Sequence, residues 1–220
     1  MPRIEAVFFD VGETIVDETR EYGTWADWLG VPRHTFSAVF GAVIARGGDY
    51  RDTFQCFRPG FDLVAERERR AEAGRPESFG AENLYPDVRP CLGELQQMGL
   101  RVGLAGNQTA RAERILKSLD LPVDVIGTSD GWGVEKPSPT FFARVIEEAD
   151  CPAGSVLYVG DRLDNDIRPA QHVGVSTALI RRGPWGFIVE DETVTSRCLF
   201  RLIGLIELPG LIREHNTRQG

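Results

Sequence analysis

The sequence has little that would tie the chain to a membrane or to an oxidising compartment. Its four cysteines are scattered and form no C-x-x-C pair, so we expect reduced thiols rather than a disulfide framework or a zinc site. No apolar run approaches the length of a transmembrane helix, and the first run stops at Asp10, unlike a signal peptide. We therefore expect a cytoplasmic protein.

Positive charge is also in short supply. The 220 residues carry a formal net charge of -8, and the arginines of residues 67–70 are interleaved with glutamates, as on a solvated helix face. This balance argues against nucleic acid and membrane as partners. We expect a small-molecule substrate, itself anionic, and a monomer or homodimer. The length allows one large domain, or a core domain with an inserted lobe.

A short apolar run, residues 6–9, leads directly into Asp10. A run this uniform predicts a strand buried on both faces, as in a parallel sheet. Asp10 then lies at the carboxyl end of that strand, where open α/β sheets place their ligands. Taken alone, however, Asp10 is more simply a residue that starts a turn.

Two kinds of pattern follow. For about seventy residues after Thr14 the apolar spacing is helical, as at Phe36, Phe40 and Ile44, and nothing alternates with a period of two. The many aromatic residues there suit the core of a small helical lobe. Arg20, His34 and Arg58 are candidates for recognising an anionic substrate, with ordinary surface positions as the simpler interpretation.

From Tyr85 onward strands and helices alternate. We expect strands at residues 102–105, 123–126, 156–159 and 175–180, helices at 87–98, 110–119, from 138 and at 166–172, and a final βα unit. Such alternation predicts an α/β fold with a doubly wound parallel, Rossmann-like sheet. The core domain would comprise residues 1–15 and 84–220, and residues 16–83 would form an inserted all-helical cap domain.

Charged residues sit at the strand ends of this predicted sheet. Lys136 precedes a helix, and Asp161 and Asp166 share one loop after a strand. Carboxylates that converge with Asp10 would repel one another unless a cation neutralised them, and Mg²⁺ is the simplest such ion in the cytoplasm. A strand-end carboxylate beside a metal and a lysine suits a nucleophile for phosphoryl transfer.

These motifs resemble those of the haloacid dehalogenase (HAD) superfamily of hydrolases, in the branch whose helical cap is inserted after the first motif. The resemblance rests on Asp10-Val11-Gly12-Glu13-Thr14, on Lys136 and on Gly160-Asp161 with Asp166, and it covers nearly the whole chain. It implies that Asp10 is the nucleophile and that Lys136 holds Asp10 and the phosphoryl group. It also implies Mg²⁺ bound by Asp10, Asp161 and the Gly12 carbonyl, with Asp166 close by.

Two positions depart from the family pattern. Gly12 stands where phosphatases of the family carry an Asp that protonates the leaving group, a contribution of about a hundred- to ten-thousand-fold. Gly106 stands where a Ser or Thr grips the phosphoryl group, and backbone N–H groups and Asn107 are candidate substitutes. Glu13 is a candidate for the missing acid, although neighbouring side chains point in different directions.

A glycine at position 12 is compatible with more than one function. The leaving group could depart as a stable anion without an acid, or the chain could be a catalytically weak or silent binding protein. A 2-haloacid dehalogenase also lacks the second Asp. Dehalogenases use no metal, however, and their last loop resembles S-x-N-x-x-D, whereas Asp161 in this chain favours a metal-dependent enzyme. We predict a Mg²⁺-dependent hydrolase that acts on a small phosphorylated metabolite through an aspartyl-phosphate at Asp10.

Overall fold

The computed structural model describes residues 2–219 and contains a six-stranded sheet whose neighbouring strands are all parallel. The strands are β1 (Ala6–Phe9), β2 (Arg101–Gly106), β3 (Val125–Thr128), β4 (Val156–Gly160), β5 (Ser176–Ile180) and β6 (Phe200–Leu202). Their order is β3-β2-β1-β4-β5-β6, so the chain winds outward from β1 in both directions. The predicted doubly wound α/β fold is confirmed, and a ligand-binding crevice is expected beside the end of β1.

Helices connect the strands and form the segment that follows β1. They are α1 (Thr19–Leu29), α2 (Arg33–Ala45), α3 (Asp52–Phe57), α4 (Leu63–Glu72), α5 (Val88–Gln97), α6 (Ala110–Ser118), α7 (Ser129–Trp132), α8 (Pro139–Ala149), α9 (Arg168–His172), α10 (Gly183–Ile188), α11 (Glu192–Thr195) and α12 (Leu208–Arg218). The short helices α7, α10 and α11 were not predicted, because four to six residues are too few for a helical period to show.

Most predicted boundaries differ from the observed ones by one residue, and two elements differ by more. Strand β3 is Val125–Thr128 rather than residues 123–126. Just before it, the Asp124 N–H donates to the Val102 carbonyl, but the Val102 N–H donates to the Asp124 carboxylate at 2.7 Å rather than to the backbone. The helix expected at residues 166–172 is a π-helical turn, Leu163–Ile167, followed by α9. In that turn Asp166 points inward to buried partners, which a surface helix would not allow.

The chain forms two compact units. One contains the residues up to Asp17 together with those from Leu84 onward, and the other contains Glu18–Asn83. The first unit therefore extends two residues beyond the boundary expected after residue 15. The reason is local pairing, since Val16 forms bridges with both Gly12 and Leu84.

The helical unit, Glu18–Asn83, has an aromatic core of its own. Trp25, Phe36, Phe54 and Phe61 are buried, and the rings of Phe54 and Phe61 stack with centroids 4.8 Å apart. Aromatic packing of this kind stabilises a lobe too small for a large aliphatic core. Two of its candidate anion-binding residues are engaged in ion pairs, Arg20 with Glu82 and Arg58 with Glu66, and His34 lies exposed on α2.

The core of the α/β unit surrounds β1. All four of its residues are buried, and each pairs with both β2 and β4. The Phe8 ring lies over Gly103 on β2, where a Cβ atom would come closer than 3.0 Å to the ring, so the strand needs glycine at this position. Among the helices of residues 2–219, none combines the length and apolar character that a bilayer crossing requires.

Candidate active site

Asp10 lies immediately beyond the carboxyl end of β1. Its backbone N–H donates to the Val159 carbonyl at 2.8 Å, which continues the β1–β4 pairing by one residue. The side chain is buried and sits next to the ends of β2 and β4. The strand therefore delivers a buried carboxylate to the edge of the sheet where ligands bind.

Lys136 reaches this carboxylate from the segment before α8. Its Nζ donates to Asp10 Oδ1 and to Asp166 Oδ1, both at 2.6 Å, and the side chain is 1% exposed. Burial alone would lower the pKa of Lys136, but the charges of Asp10 and Asp166 outweigh it and hold the pKa well above its usual value. The lysine is therefore a permanent cation that joins two loops distant in sequence.

Three carboxylates converge here, and Lys136 binds two of them, Asp10 and Asp166. One oxygen atom from each of Asp10, Asp161 and Asp166 lies within 4.8 Å of the others, and all three side chains are buried. Burial, reinforced by the charges of Asp166 and Asp10, raises the pKa of Asp161 well above its ordinary value. Burial and the charge of Asp10 raise the pKa of Asp166 to about 6. The cluster thus holds more negative charge than its surroundings neutralise.

One oxygen of this cluster lacks a hydrogen-bond partner in the described part of the chain. Asp161 Oδ2 is buried, and within residues 2–219 no group donates a hydrogen bond to it. A buried, ionised oxygen without a donor is costly. Three carboxylates against one lysine leave a formal charge of -2 when all are ionised, which a divalent cation would balance. Oxygen ligands of this kind suit Mg²⁺, so the donor set fits that ion.

Close backbone approach shapes the loop that carries Asp161 and Asp166. A Cβ atom on Gly160 would lie closer than 3.0 Å to the Asp166 side chain, so glycine is required there. The Arg162 N–H donates to Asp166 Oδ2 at 3.0 Å while Lys136 binds the other oxygen. Asp166 is therefore fixed at both oxygens, whereas Asp161 keeps one oxygen available to a ligand.

Glu13 occupies an unusual place beside the cluster. Its φ is +52°, a left-handed conformation that non-glycine residues adopt rarely. The side chain is buried, and its Oε2 accepts a hydrogen bond from the Tyr85 hydroxyl at 2.6 Å. This bond engages Oε2 as an acceptor and orients the carboxyl group, and the role of Glu13 as the acid stays a prediction.

The two glycines that depart from the family pattern, Gly12 and Gly106, lie in different surroundings. Gly12 forms an isolated bridge with Val16 in the turn after Asp10. At Gly106, the end of β2, a Cβ atom would lie 2.9 Å from Asp10 Oδ1 and 3.1 Å from Val11. A serine or threonine at that position would therefore require the Asp10 carboxylate and the Val11 side chain to shift.

Asn107 contacts the site through Lys136. Its Oδ1 accepts from the Lys136 N–H at 2.7 Å, and its Nδ2 donates to the Lys136 carbonyl at 2.9 Å. These two bonds hold the backbone of Lys136 in place. Because Nδ2 carries two N–H donors, they do not by themselves prevent Asn107 from binding a phosphoryl group, and that role stays a prediction.

Three side chains near the site were not predicted from the sequence. Tyr85 orients Glu13, Arg182 donates to the Thr14 carbonyl at 2.9 Å, and Arg162 packs 4.3 Å from the centre of the Trp185 ring. The sequence held one indication of these residues, a pair of basic residues that directly follows β5. Residues 181–182 are both arginine at a strand end of the predicted sheet, yet they did not enter the predicted site.

Comparison with known proteins identifies the family. A model of the haloacid dehalogenase-like hydrolases matches residues 4–174, well over half of the chain. The chain belongs to this family of hydrolases, as its motifs predicted. Among solved structures, the magnesium-bound HAD-hydrolase YfnB of Bacillus subtilis superposes with a TM-score of 0.72 at 18% identity, covering 96% of this chain and 99% of that chain. This likeness shows a shared fold.

Curated relatives carry phosphatase names. The glyceraldehyde 3-phosphate phosphatase of Methanopyrus kandleri is 36% identical over 104 residues, which cover 46% of this chain and 45% of the relative. The protein of the same name from Pyrococcus abyssi is 27% identical over 197 residues, 82% of each chain. The alignment with the Methanopyrus protein thus spans less than half of that relative, whereas the Pyrococcus alignment spans most of it.

Proposed function

We propose that this chain is a Mg²⁺-dependent phosphatase that acts on a small phosphorylated metabolite through an aspartyl-phosphate at Asp10. The observation that carries the proposal is the buried group of Asp10, Asp161 and Asp166, two of which bind Lys136, with one Asp161 oxygen unpartnered within the described residues. The names of the curated relatives support a phosphatase-type reaction. A cytoplasmic location and a monomer or homodimer stay predictions, as does the cap domain expected at residues 16–83.

Each residue of the candidate active site has a distinct role in this proposal. Asp10, Asp161 and the Gly12 carbonyl would hold the cation, with Asp166 beside them, and the cation would neutralise charge on the phosphoryl group. The Asp10 carboxylate attacks phosphorus, the leaving group departs with the bonding electrons, and water then hydrolyses the acyl phosphate and regenerates Asp10. Lys136 keeps the carboxylate oriented and supplies a fixed positive charge next to the transferring group.

A phosphate-release screen tests this function. Phosphorylated metabolites, with glyceraldehyde 3-phosphate and phosphoglycolate among them, are incubated with and without Mg²⁺, and Asp10→Asn serves as the inactive control. We expect release that needs both the metal and Asp10. Halide release from 2-haloacids without metal would support the dehalogenase alternative, and binding without turnover would support a catalytically silent protein.

A second test uses the lack of an acidic side chain at Gly12 and measures how the rate depends on the leaving group. If leaving groups depart unprotonated, the rate should depend steeply on leaving-group acidity, with acyl phosphates and p-nitrophenyl phosphate cleaved well and simple sugar phosphates poorly. Gly12→Asp should selectively improve poor leaving groups, by up to roughly a hundredfold or more. The decisive comparison is wild type against Glu13→Gln: if only wild type cleaves alkyl phosphates efficiently, Glu13 is the acid and the orienting role is wrong.

A further inference from the structure

Residues 182–185, which follow β5 and form the first turn of α10, contact both loops that carry the carboxylates of the site. Arg182 and Trp185 are buried, although Arg181 and Phe187 on the same segment are exposed. A buried guanidinium or indole requires specific partners. The partners of these two side chains belong to different loops of the candidate active site.

Arg182 holds the loop that follows β1. Its Nη1 donates to the Thr14 carbonyl at 2.9 Å, and its Nη2 pairs with Asp87. The guanidinium also lies 4.2 Å from the centre of the Tyr85 ring, whose hydroxyl donates to Glu13 at 2.6 Å. One buried cation therefore fixes the backbone of the Asp10 loop and the residue that orients Glu13.

Gly183 brings the same segment against Glu13. Its φ is +58°, and a Cβ atom there would approach the Glu13 side chain more closely than 3.0 Å. Only glycine allows this contact without displacement of one chain segment or the other. The segment after β5 therefore packs directly on the loop after β1, in addition to the hydrogen bonds of Arg182.

Trp185 supports the loop that follows β4. The Arg162 guanidinium lies 4.3 Å from the centre of the Trp185 ring, and it donates to Asp164 at 2.7 and 3.1 Å. The N–H of Arg162 donates to Asp166. Because Arg162 also directly follows Asp161 in the chain, immobilising its side chain restrains both carboxylates of this loop.

We propose that Arg182 and Trp185 are positioning residues that hold the two carboxylate loops at the spacing a divalent cation needs. The inference rests on the proposed Mg²⁺ site and deepens it. Carboxylates with oxygens within 4.8 Å repel one another, so the loops after β1 and β4 need restraint from outside the cluster. Partners that orient metal ligands typically contribute about ten- to a hundredfold in metal affinity.

The test combines calorimetry of Mg²⁺ binding with hydrogen exchange of the metal-free protein. Arg182→Met and Trp185→Leu are compared with Arg181→Met and Phe187→Leu, which remove side chains of similar size at exposed positions of the segment. We expect the two buried-site variants to bind Mg²⁺ about ten- to a hundredfold more weakly. Exchange should quicken in residues 10–17 for Arg182→Met and in residues 160–168 for Trp185→Leu, and the controls should match wild type.

Two further variants keep the test decisive if Arg182→Met folds poorly. Arg182→Met combined with Asp87→Asn removes both members of the ion pair, and Trp185→Phe keeps an aromatic ring under Arg162 and should retain most of the affinity. If folded variants bind Mg²⁺ as tightly as wild type and only melt earlier, positioning is overturned. If wild type binds no Mg²⁺, the proposed metal site fails first, and exchange in the metal-free variants still decides whether the segment restrains both loops.

Discussion

Without metal, the variant Asp161→Asn should be more stable than wild type. With Mg²⁺ present, the same variant should be less stable than wild type. In the metal-free state the Asp161 carboxylate is buried, one oxygen has no partner among residues 2–219, and its pKa is raised by burial and by Asp166 and Asp10. The amide removes a charge that only a cation would compensate. The sign of the effect therefore depends on the metal, which an ordinary structural aspartate would not show.

The magnitude follows from the distances. Two unit charges 4.8 Å apart repel by about 3 kcal/mol at an effective dielectric constant near 20. Protonation of Asp161 in wild type already relieves part of this repulsion. We therefore expect Asp161→Asn to raise the free energy of unfolding by about 1–3 kcal/mol in the metal-free state. Each kcal/mol corresponds to roughly 2–4 °C in Tm for a chain of this size. A bound ion at a hundred times its Kd would stabilise wild type by about 2.7 kcal/mol, and Asp161→Asn should lose that gain.

The assay is thermal or urea unfolding at pH 7, in EDTA and in Mg²⁺. Asp164→Asn is the matched control, because Asp164 lies on the same loop but is 59% exposed at its side chain and pairs with Arg162. This control should be no more stable than wild type in EDTA and should keep the response to Mg²⁺. The reasoning is refuted if Asp161→Asn is less stable than wild type in EDTA while it still gains stability from Mg²⁺.

Three further outcomes are expected. The pKa of Asp166 is raised from 3.8 to about 6, so the folded state binds this proton more tightly than the unfolded state does. The free energy of unfolding of the metal-free protein should therefore fall by up to about 3 kcal/mol as pH rises from about 4 to about 6, as measured by urea titration in EDTA. Gly106→Ser should lower phosphate release at least about tenfold rather than improve it, since its Cβ would displace Asp10. Glu13→Gly should be about 1 kcal/mol more stable than Glu13→Ala in the same unfolding assay, because φ is +52° there.

The sheet and the cluster were predictable because both follow from local pattern. Uniform apolar runs such as residues 6–9 indicate buried parallel strands, and parallel strands end at the same edge of a sheet. Charged residues that follow such runs, Asp10 and Asp161, therefore meet even though about 150 residues separate them in the sequence. The spacing of the motifs sufficed, and no knowledge of side-chain contacts was needed.

The contacts that orient the cluster were not predictable in this way. Tyr85 is 72 residues from Glu13, and Arg182 is 168 residues from Thr14. Neither pair belongs to a repeating pattern or to a motif, and each depends on how one loop packs on another. Asn107 shows the same limit, because its place after β2 predicted a polar group near the site but not that its amide would bind the backbone of Lys136.

The turn after Asp10 shows how these long-range contacts shape the chemistry. A left-handed residue costs about 1–2 kcal/mol when it is not glycine, yet Glu13 stands in that conformation next to Gly12, which would tolerate it. Tyr85 and Gly183 supply the compensating contacts, a hydrogen bond to the carboxylate and close packing on its methylene groups. The turn therefore holds a buried carboxylate that accepts a hydrogen bond from a hydroxyl group, and position 12 carries no side chain. If Asp10 attacks phosphorus as proposed, position 12 supplies no acid for the leaving group, so leaving-group acidity should govern which phosphates the protein cleaves.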